Sequence, residues 1–251
     1  MSDERAGRHG RHGRDGRDGH DGQVAQGGAR ARARAETTRR ALEIATRQLG
    51  EVGASGLSVR AVARELGMAS SAIYRYFPSR DALLTRLIVD AYVDLGAAAT
   101  AAEARVERAD HIGRFRAAAH GARDWALAEP HRYALLYGSP VPGYAAPADT
   151  VAPALTVALL LLSVVEDAAA SGTRLRRAEL TVDLRRELGD AGALVETDVD
   201  PGVLALGVQA WTALFGHLSF ELFGHLHRVV ESRREWFDQL LDDQLERIGL
   251  L

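Results

Sequence analysis

Ser58 to Phe77 reads S-V-R-A-V-A-R-E-L-G-M-A-S-S-A-I-Y-R-Y-F, and this stretch decides the fold. Val59, Val62, Ala63 and Leu66 recur at helical spacing and form one apolar face. Ser58 precedes them as an N-cap, its hydroxyl placed to accept from a backbone N–H that would otherwise lack a partner. Gly67 follows, where a helix end often needs a left-handed backbone. A second short helix carries Ala72, Ile73 and Phe77 inward and shows Ser70, Ser71, Tyr74, Arg75 and Tyr76 on its other side, until Pro78 stops it. Helix, tight glycine turn, helix with a polar and aromatic outer face is the form of a helix-turn-helix, whose second helix lies in the DNA major groove.

The flanks extend this unit. Ala41, Leu42, Ala45 and Leu49 predict a first helix from about Glu36 to Val52, closed by Gly53. Pro78-Ser79-Arg80-Asp81 opens another, with Ser79 as cap and Asp81 favourable in the first turn. Leu83, Leu84, Leu87, Ile88 and Ala91 carry it to about Ala99. Residues 34–90 therefore read as a DNA-binding domain.

The block A-L-E-I-A-T-R-Q-L-G-E-V-G-A-S-G-L-S-V-R-A-V-A-R-E-L-G-M-A-S-S-A-I-Y-R-Y-F-P-S-R-D-A-L-L, Ala41 to Leu84, resembles the DNA-binding domain of the TetR family of bacterial repressors. The resemblance implies DNA contacts from Ser58, Arg60, Ser70, Ser71, Tyr74, Arg75, Tyr76 and Arg80. Ser58 and Arg60 face phosphate. Ser70 and Ser71 open the recognition helix. Tyr74 packs and touches backbone, Tyr76 replaces a frequent His, and Arg80 replaces a usual Lys. Arg75 is the one long side chain suited to reading guanine. Ala69 departs from the family, which often has Ser or Thr there as N-cap; Ser70 is the alternative cap, one residue later.

Composition agrees with an all-α protein bound to a polyanion. The 251 residues are 47% hydrophobic, with few β-branched runs, and contain no cysteine. Disulfides and cysteine zinc sites are thereby excluded, and a reducing, cytoplasmic setting is expected. All basic residues are Arg. Residues 1–33 carry 7 Arg against 5 acids and residues 34–90 carry 9 against 6, whereas residues 91–251 carry 15 against 23. A basic front and an acidic back suit a nucleic-acid partner at the N-terminal end. No apolar signal segment opens the chain, and the apolar run Val151–Val165 is interrupted by Pro153 and too short for a membrane span.

Residues 1–33, with glycine every third position over much of their length, read as a disordered tail. No specific metal role is expected for His9, His12 and His20. Arg30 to Arg34 read equally well as an arm tracking phosphates or the minor groove and as a solvated tail.

Residues 91–251 read as long apolar helices. They run from about Asp110 to Leu127, from Pro130 through a short segment, from Thr150 to Ala170, from Pro201 to about Val230 and from Ser232 to about Ile248, with a polar stretch at 171–200. W-A-L-A-E-P-H-R-Y-A-L-L-Y-G-S-P-V-P-G-Y and W-T-A-L-F-G-H-L-S-F-E-L-F-G-H-L are similar to the C-terminal domain of a TetR subgroup with a W-H-G signature. This implies an effector-binding and dimerisation domain whose last two helices make a four-helix bundle across a two-fold axis. Trp211, Phe215, Leu218, Leu222 and Phe223 are the expected dimer face. His120, Trp125, Tyr133, Tyr137 and Tyr144 are candidate lining for a small-molecule pocket, being large groups with polar tips.

His217, Glu221 and His225 recur every fourth residue and so share one helix face. A hydrogen-bonded stripe at the dimer seam is preferred to a metal site, and no metal or cofactor is expected. The function expected is a homodimeric transcriptional regulator that binds double-stranded operator DNA and is released by a small, mostly apolar effector. The alternatives are an effector-independent regulator or activator and, from another class, a metal-dependent enzyme on the His217/Glu221/His225 face.

Overall fold

Helix α1, Asp18–Gly56, is the scaffold of the N-terminal head. In the computed structural model, residues 18–251 are described, with side chains from residue 28. The disordered reading of residues 1–17 lies outside the described residues. From Asp18 onward the chain is helical, so the first helix starts well before Glu36. For residues 29–35 the reason is local: Ala and Arg, which alternate from Ala29 to Ala35, are both strong helix formers, whereas the turns from Asp18 to Gly28 hold four glycines and have no such local reason. Once residues 36–52 are docked, each added turn extends a helix already nucleated. Gly53, at φ 67 and ψ 174, breaks the helix where expected.

Three short segments complete the head: α2 (Val59–Glu65), α3 (Ser70–Ile73) and the first turns of α4 (Arg80–Glu103). Their shared core contains Ala41, Ile44, Ala45, Val62, Ile73, Phe77, Leu83 and Leu84. Phe77 is buried, as its apolar register requires.

Helix α4 leaves the head and becomes part of the body, packing along α5 (His111–Ala128). Then come α6 (Pro130–Tyr137), α7 (Val151–Ala154), α8 (Thr156–Ala170), α9 (Val182–Leu194), α10 (Pro201–Leu222) and α11 (Arg233–Ile248). No strand occurs among the described residues. The body core gathers Leu95, Phe115, Tyr133, Val164, Leu218, Phe237 and Leu241 from α4, α5, α6, α8, α10 and α11.

Two expected helices are divided or shortened. The Thr150–Ala170 run breaks at Leu155 with a bend of 41°, beside Pro153, which cannot donate to the helix ladder. The Pro201 helix ends at Leu222 rather than near Val230, with Gly224 at φ 82 just beyond. By length and composition α10 is apolar enough to cross a membrane, but one side of it, with Val203, Leu206, Ala210, Leu214, Phe215 and Leu218, is used in the core.

Head and body meet along α4. Val141 and Tyr144, from the turn after α6, pack onto the head core, and the Tyr144 hydroxyl lies 2.9 Å from Thr85 Oγ1. At Gly96, α4 approaches α8 so closely that an added Cβ would sit 2.5 Å from Thr156 Cγ2. Deeper in the body, Arg114 is fully buried and bridges α4 to α8, with Nε 2.5 Å from Glu103 Oε1 and Nη1 2.8 Å from Asp167 Oδ2.

Candidate nucleic-acid interface

The DNA-facing surface is built from the end of α1, the turn at Gly67 and the single turn of α3. Ser58 caps α2, accepting from Ala61 N at 3.4 Å. Gly67 adopts φ 68, and Met68 N donates to Ala63 O at 2.9 Å, which closes the turn. Ala69 occupies the N-cap position of α3 and makes no side-chain cap bond. Ser70 is already helical, so it does not replace Ala69 as cap.

Arg60, Ser70, Ser71, Tyr74 and Arg75 are all exposed. Tyr74 is 39% accessible, so its ring is available to a partner rather than lost to the core. Tyr76 is half-buried, with the Arg34 guanidinium carbon 5.1 Å from its ring centroid. Ser79 caps α4 through Ala82 N at 3.0 Å, as its position suggested. Arg47 on α1 pairs with Glu65 on α2, so Glu65 faces solvent while bracing the head.

Arg80 differs from expectation. Its guanidinium donates to Ala54 O at 2.7 Å, Leu57 O at 3.2 Å and Ser55 O at 3.3 Å. These carbonyls lie where α1 ends, and of the three only Ala54 O also accepts a backbone bond, a long one from Leu57 N at 3.4 Å. Arg80 therefore clamps α4 to the end of α1 through Nε and Nη2. A position in the chain does not reveal such a commitment, because the three acceptors lie 23 to 26 residues away.

Residues 41–87 match the family description "Bacterial regulatory proteins, tetR family", and residues 115–244 match "Tetracyclin repressor-like, C-terminal domain". The chain belongs to the TetR family. HTH-type transcriptional regulator Rv1816 of Mycobacterium tuberculosis is 39% identical over 214 residues, covering 80% of this chain and 87% of that protein. The regulator Mb1846 of Mycobacterium bovis matches with the same figures. Among solved structures, regulatory protein SCO4313 superposes with a TM-score of 0.70 at 32% identity, covering 86% of this chain and 98% of the other. A Rhodococcus sp. RHA1 protein shares the fold with a TM-score of 0.65 at 24% identity, over 85% and 95%. This TetR-family chain is accordingly a DNA-binding transcriptional regulator.

The five residues expected to line one effector pocket do not share a cavity, although Tyr133 and Tyr137 pack ring to ring at 5.0 Å. His120 sits between α5 and α11, with Nε2 2.6 Å from Asp238 Oδ1. Tyr133 is wholly buried, and its hydroxyl donates to Phe215 O at 2.9 Å. Burial pushes this phenol up to about 12, partly opposed by the hydrogen bond with Ser219. Tyr137 stacks on Phe215 at 4.4 Å, and Trp125 lies beneath Arg132. Tyr144 lines a groove of about 470 Å³, shared with Tyr92, Leu136 and Val151. A different space was missed: an apolar cavity of about 170 Å³ between α8, α9 and α10, walled by Ala158, Leu162, Val165, Leu188, Leu204 and Trp211. Its walls are mostly aliphatic, with Trp211 and Phe115 as the aromatic members, so polar-tipped aromatics in the sequence do not point to it.

The expected dimer face also turns inward in part. Phe215 and Leu218 are core residues, Trp211 and Leu222 are half-buried against the core, and only Phe223 is exposed. The exposed arc of α10 is instead Val208, Thr212, Gly216 and Phe220, spaced by four. Phe220 is 56% accessible, and Trp236 on α11 is 48% accessible.

The His217/Glu221/His225 stripe is broken up. Glu221 is taken by Arg123, His217 Nε2 lies 3.7 Å from Glu221 Oε2, and His225 falls beyond the helix against Phe220. Among the described residues, no group of three or more metal-binding side chains forms.

Proposed function

We propose that this regulator is a homodimeric repressor, released from its operator by a small apolar effector seated between α8, α9 and α10. The observation that carries this reading is the apolar cavity and its neighbour Leu155. Leu155 lines the cavity, and the next residue, Thr156, packs on Gly96 of α4. Helix α4 begins in the head, so a displacement of the start of α8 has a direct mechanical route to the DNA-binding unit. Helix α9 packs chiefly on α10 and shows Val182 and Leu194 to solvent, which suits a movable cover.

The dimer would form through the α10 arc Val208, Thr212, Gly216 and Phe220 together with Trp236, setting two recognition helices about one DNA turn, or ~34–36 Å, apart. An effector shifts operator occupancy only if it binds the DNA-incompetent arrangement better than the competent one. A DNA partner and a chain without cysteine suit the cytoplasm.

The test is a gel shift on DNA upstream of the protein's own gene, titrated with small aryl and alkyl compounds, alongside a reporter driven by that DNA. The reading expects repression, release by some of these compounds, and loss of release but not of DNA binding in Ala158→Leu, which fills the cavity. A protein that activates the reporter, or an Ala158→Leu variant with an unaltered response, contradicts it.

A further inference from the structure

The segment before residue 41 lies outside the part matched as the family's DNA-binding domain, yet it touches the turn that closes the recognition helix. Arg34 Nη2 donates to Arg75 O at 2.9 Å, across 41 residues of sequence. The same guanidinium lies over the Tyr76 ring at 5.1 Å, within range of a cation–π attraction. Arg75 is the one long side chain on the recognition segment suited to reading a base, and it projects from the backbone unit that Arg34 holds.

The recognition helix needs such support. It is one turn long, Ser70–Ile73, and makes no side-chain bond at its N-cap, Ala69. A turn this short has little intrinsic stability. Its far end runs into the turn at residues 74–76, where Tyr76 N donates to Ile73 O at 2.8 Å. There the Arg75 carbonyl would face solvent without a chain partner. A charge-assisted bond to that carbonyl and a stacked contact to the next side chain fix both the height and the tilt of the turn.

We propose that Arg34 is a positioning residue for DNA reading, which makes the helical extension preceding residue 41 a working part of the recognition head. The segment is then not a loose basic arm. Its helix transmits order from α1 to the end of the recognition turn, and its contribution is to selectivity. An exposed neighbour such as Arg30 can add only sequence-independent attraction to phosphate.

The test uses the full chain and two duplexes of equal length: one recovered by the wild-type protein from a random-sequence library, and one unselected. Arg34→Gln keeps helix propensity nearly constant, because Gln and Arg rank together as helix formers. It is expected to reduce the affinity ratio of selected to unselected duplex about tenfold, in line with losing one charged hydrogen bond. Arg34→Lys, which can still donate and lie over Tyr76, should restore most of the ratio. Arg30→Gln should weaken both duplexes alike and lower the salt slope of binding by about one. If Arg34→Gln behaves as Arg30→Gln does, Arg34 is a phosphate contact and the proposal fails. It fails equally if Arg34→Gln leaves both affinities unchanged, or if Arg34→Lys is as defective as Arg34→Gln.

Discussion

Arg123 on α5 and Glu221 on α10 form a buried two-bond ion pair, with Nε 2.9 Å from Oε2 and Nη2 2.5 Å from Oε1. Phe237 of α11 covers the guanidinium at 5.5 Å from its ring centroid. The pair thus joins three helices of the body, and it accounts for Glu221 better than a metal or a dimer seam does.

Arg123→Ala or Glu221→Ala leaves a buried charge without its partner, and each is expected to cost about 3–5 kcal/mol. Arg123→Met combined with Glu221→Leu removes both charges and keeps volume, so it should lie closer to the wild type. Urea denaturation of the three variants measures this. A double variant as unstable as the sum of the singles would show that the two residues are not coupled.

His217 should make the body acid-sensitive. Burial, reinforced by Arg123, holds its imidazole below the ordinary value of 6.5, with Glu221 opposing. The unfolded chain therefore binds this proton more readily than the folded one does. The stabilisation is complete above about 6.5 and is lost as pH falls through that value toward the folded one. Between about pH 7.5 and pH 5.5 the wild type should lose more melting temperature than His217→Gln does. Parallel losses in the two proteins would remove His217 as a source of acid sensitivity.

Arg80→Ala should act on the head's stability. Three carbonyls at the end of α1 lose the Arg80 guanidinium, and of these only Ala54 O keeps a backbone donor, Leu57 N, a loss of about 1–3 kcal/mol. DNA binding should weaken with the salt dependence unchanged, since no phosphate contact has gone. A salt slope reduced by about one would instead return Arg80 to the phosphate backbone.

Phe220→Glu and Leu218→Ala separate the two sides of α10. Phe220→Glu is expected to yield a monomer in sedimentation with helix content retained, because it charges an exposed apolar arc. Leu218→Ala opens a core cavity and should cost about 2–5 kcal/mol. A Phe220→Glu protein that sediments as the wild type does would move the dimer contact to another surface.

The head was legible in the sequence because its determinants are local. Ser58, Gly67 and Ser79 act through bonds to backbone within a few residues, and apolar spacing identified Phe77 as core. The start of α1 differs from expectation in two parts: residues 29–33 are Ala and Arg, which favour helix, while the helical turns from Asp18 to Gly28 run through glycines and are not marked by local preference. The body was less legible. Helix α10 is apolar around much of its circumference, so spacing marks a helix without saying which arc meets α5, α8 and α11 and which is left exposed.

The sequence by itself determined an all-α, TetR-like chain with its helix-turn-helix at residues 58–77, since caps, glycine turns and helical periodicity are short-range and repeat faithfully. Only the tertiary structure decided that Arg80 clamps α1, that Arg34 reaches the turn closing the recognition helix, that Glu221 answers Arg123, and that an apolar cavity opens behind Leu155. Each of these joins residues from different helices, and such pairings depend on how whole helices pack and bend.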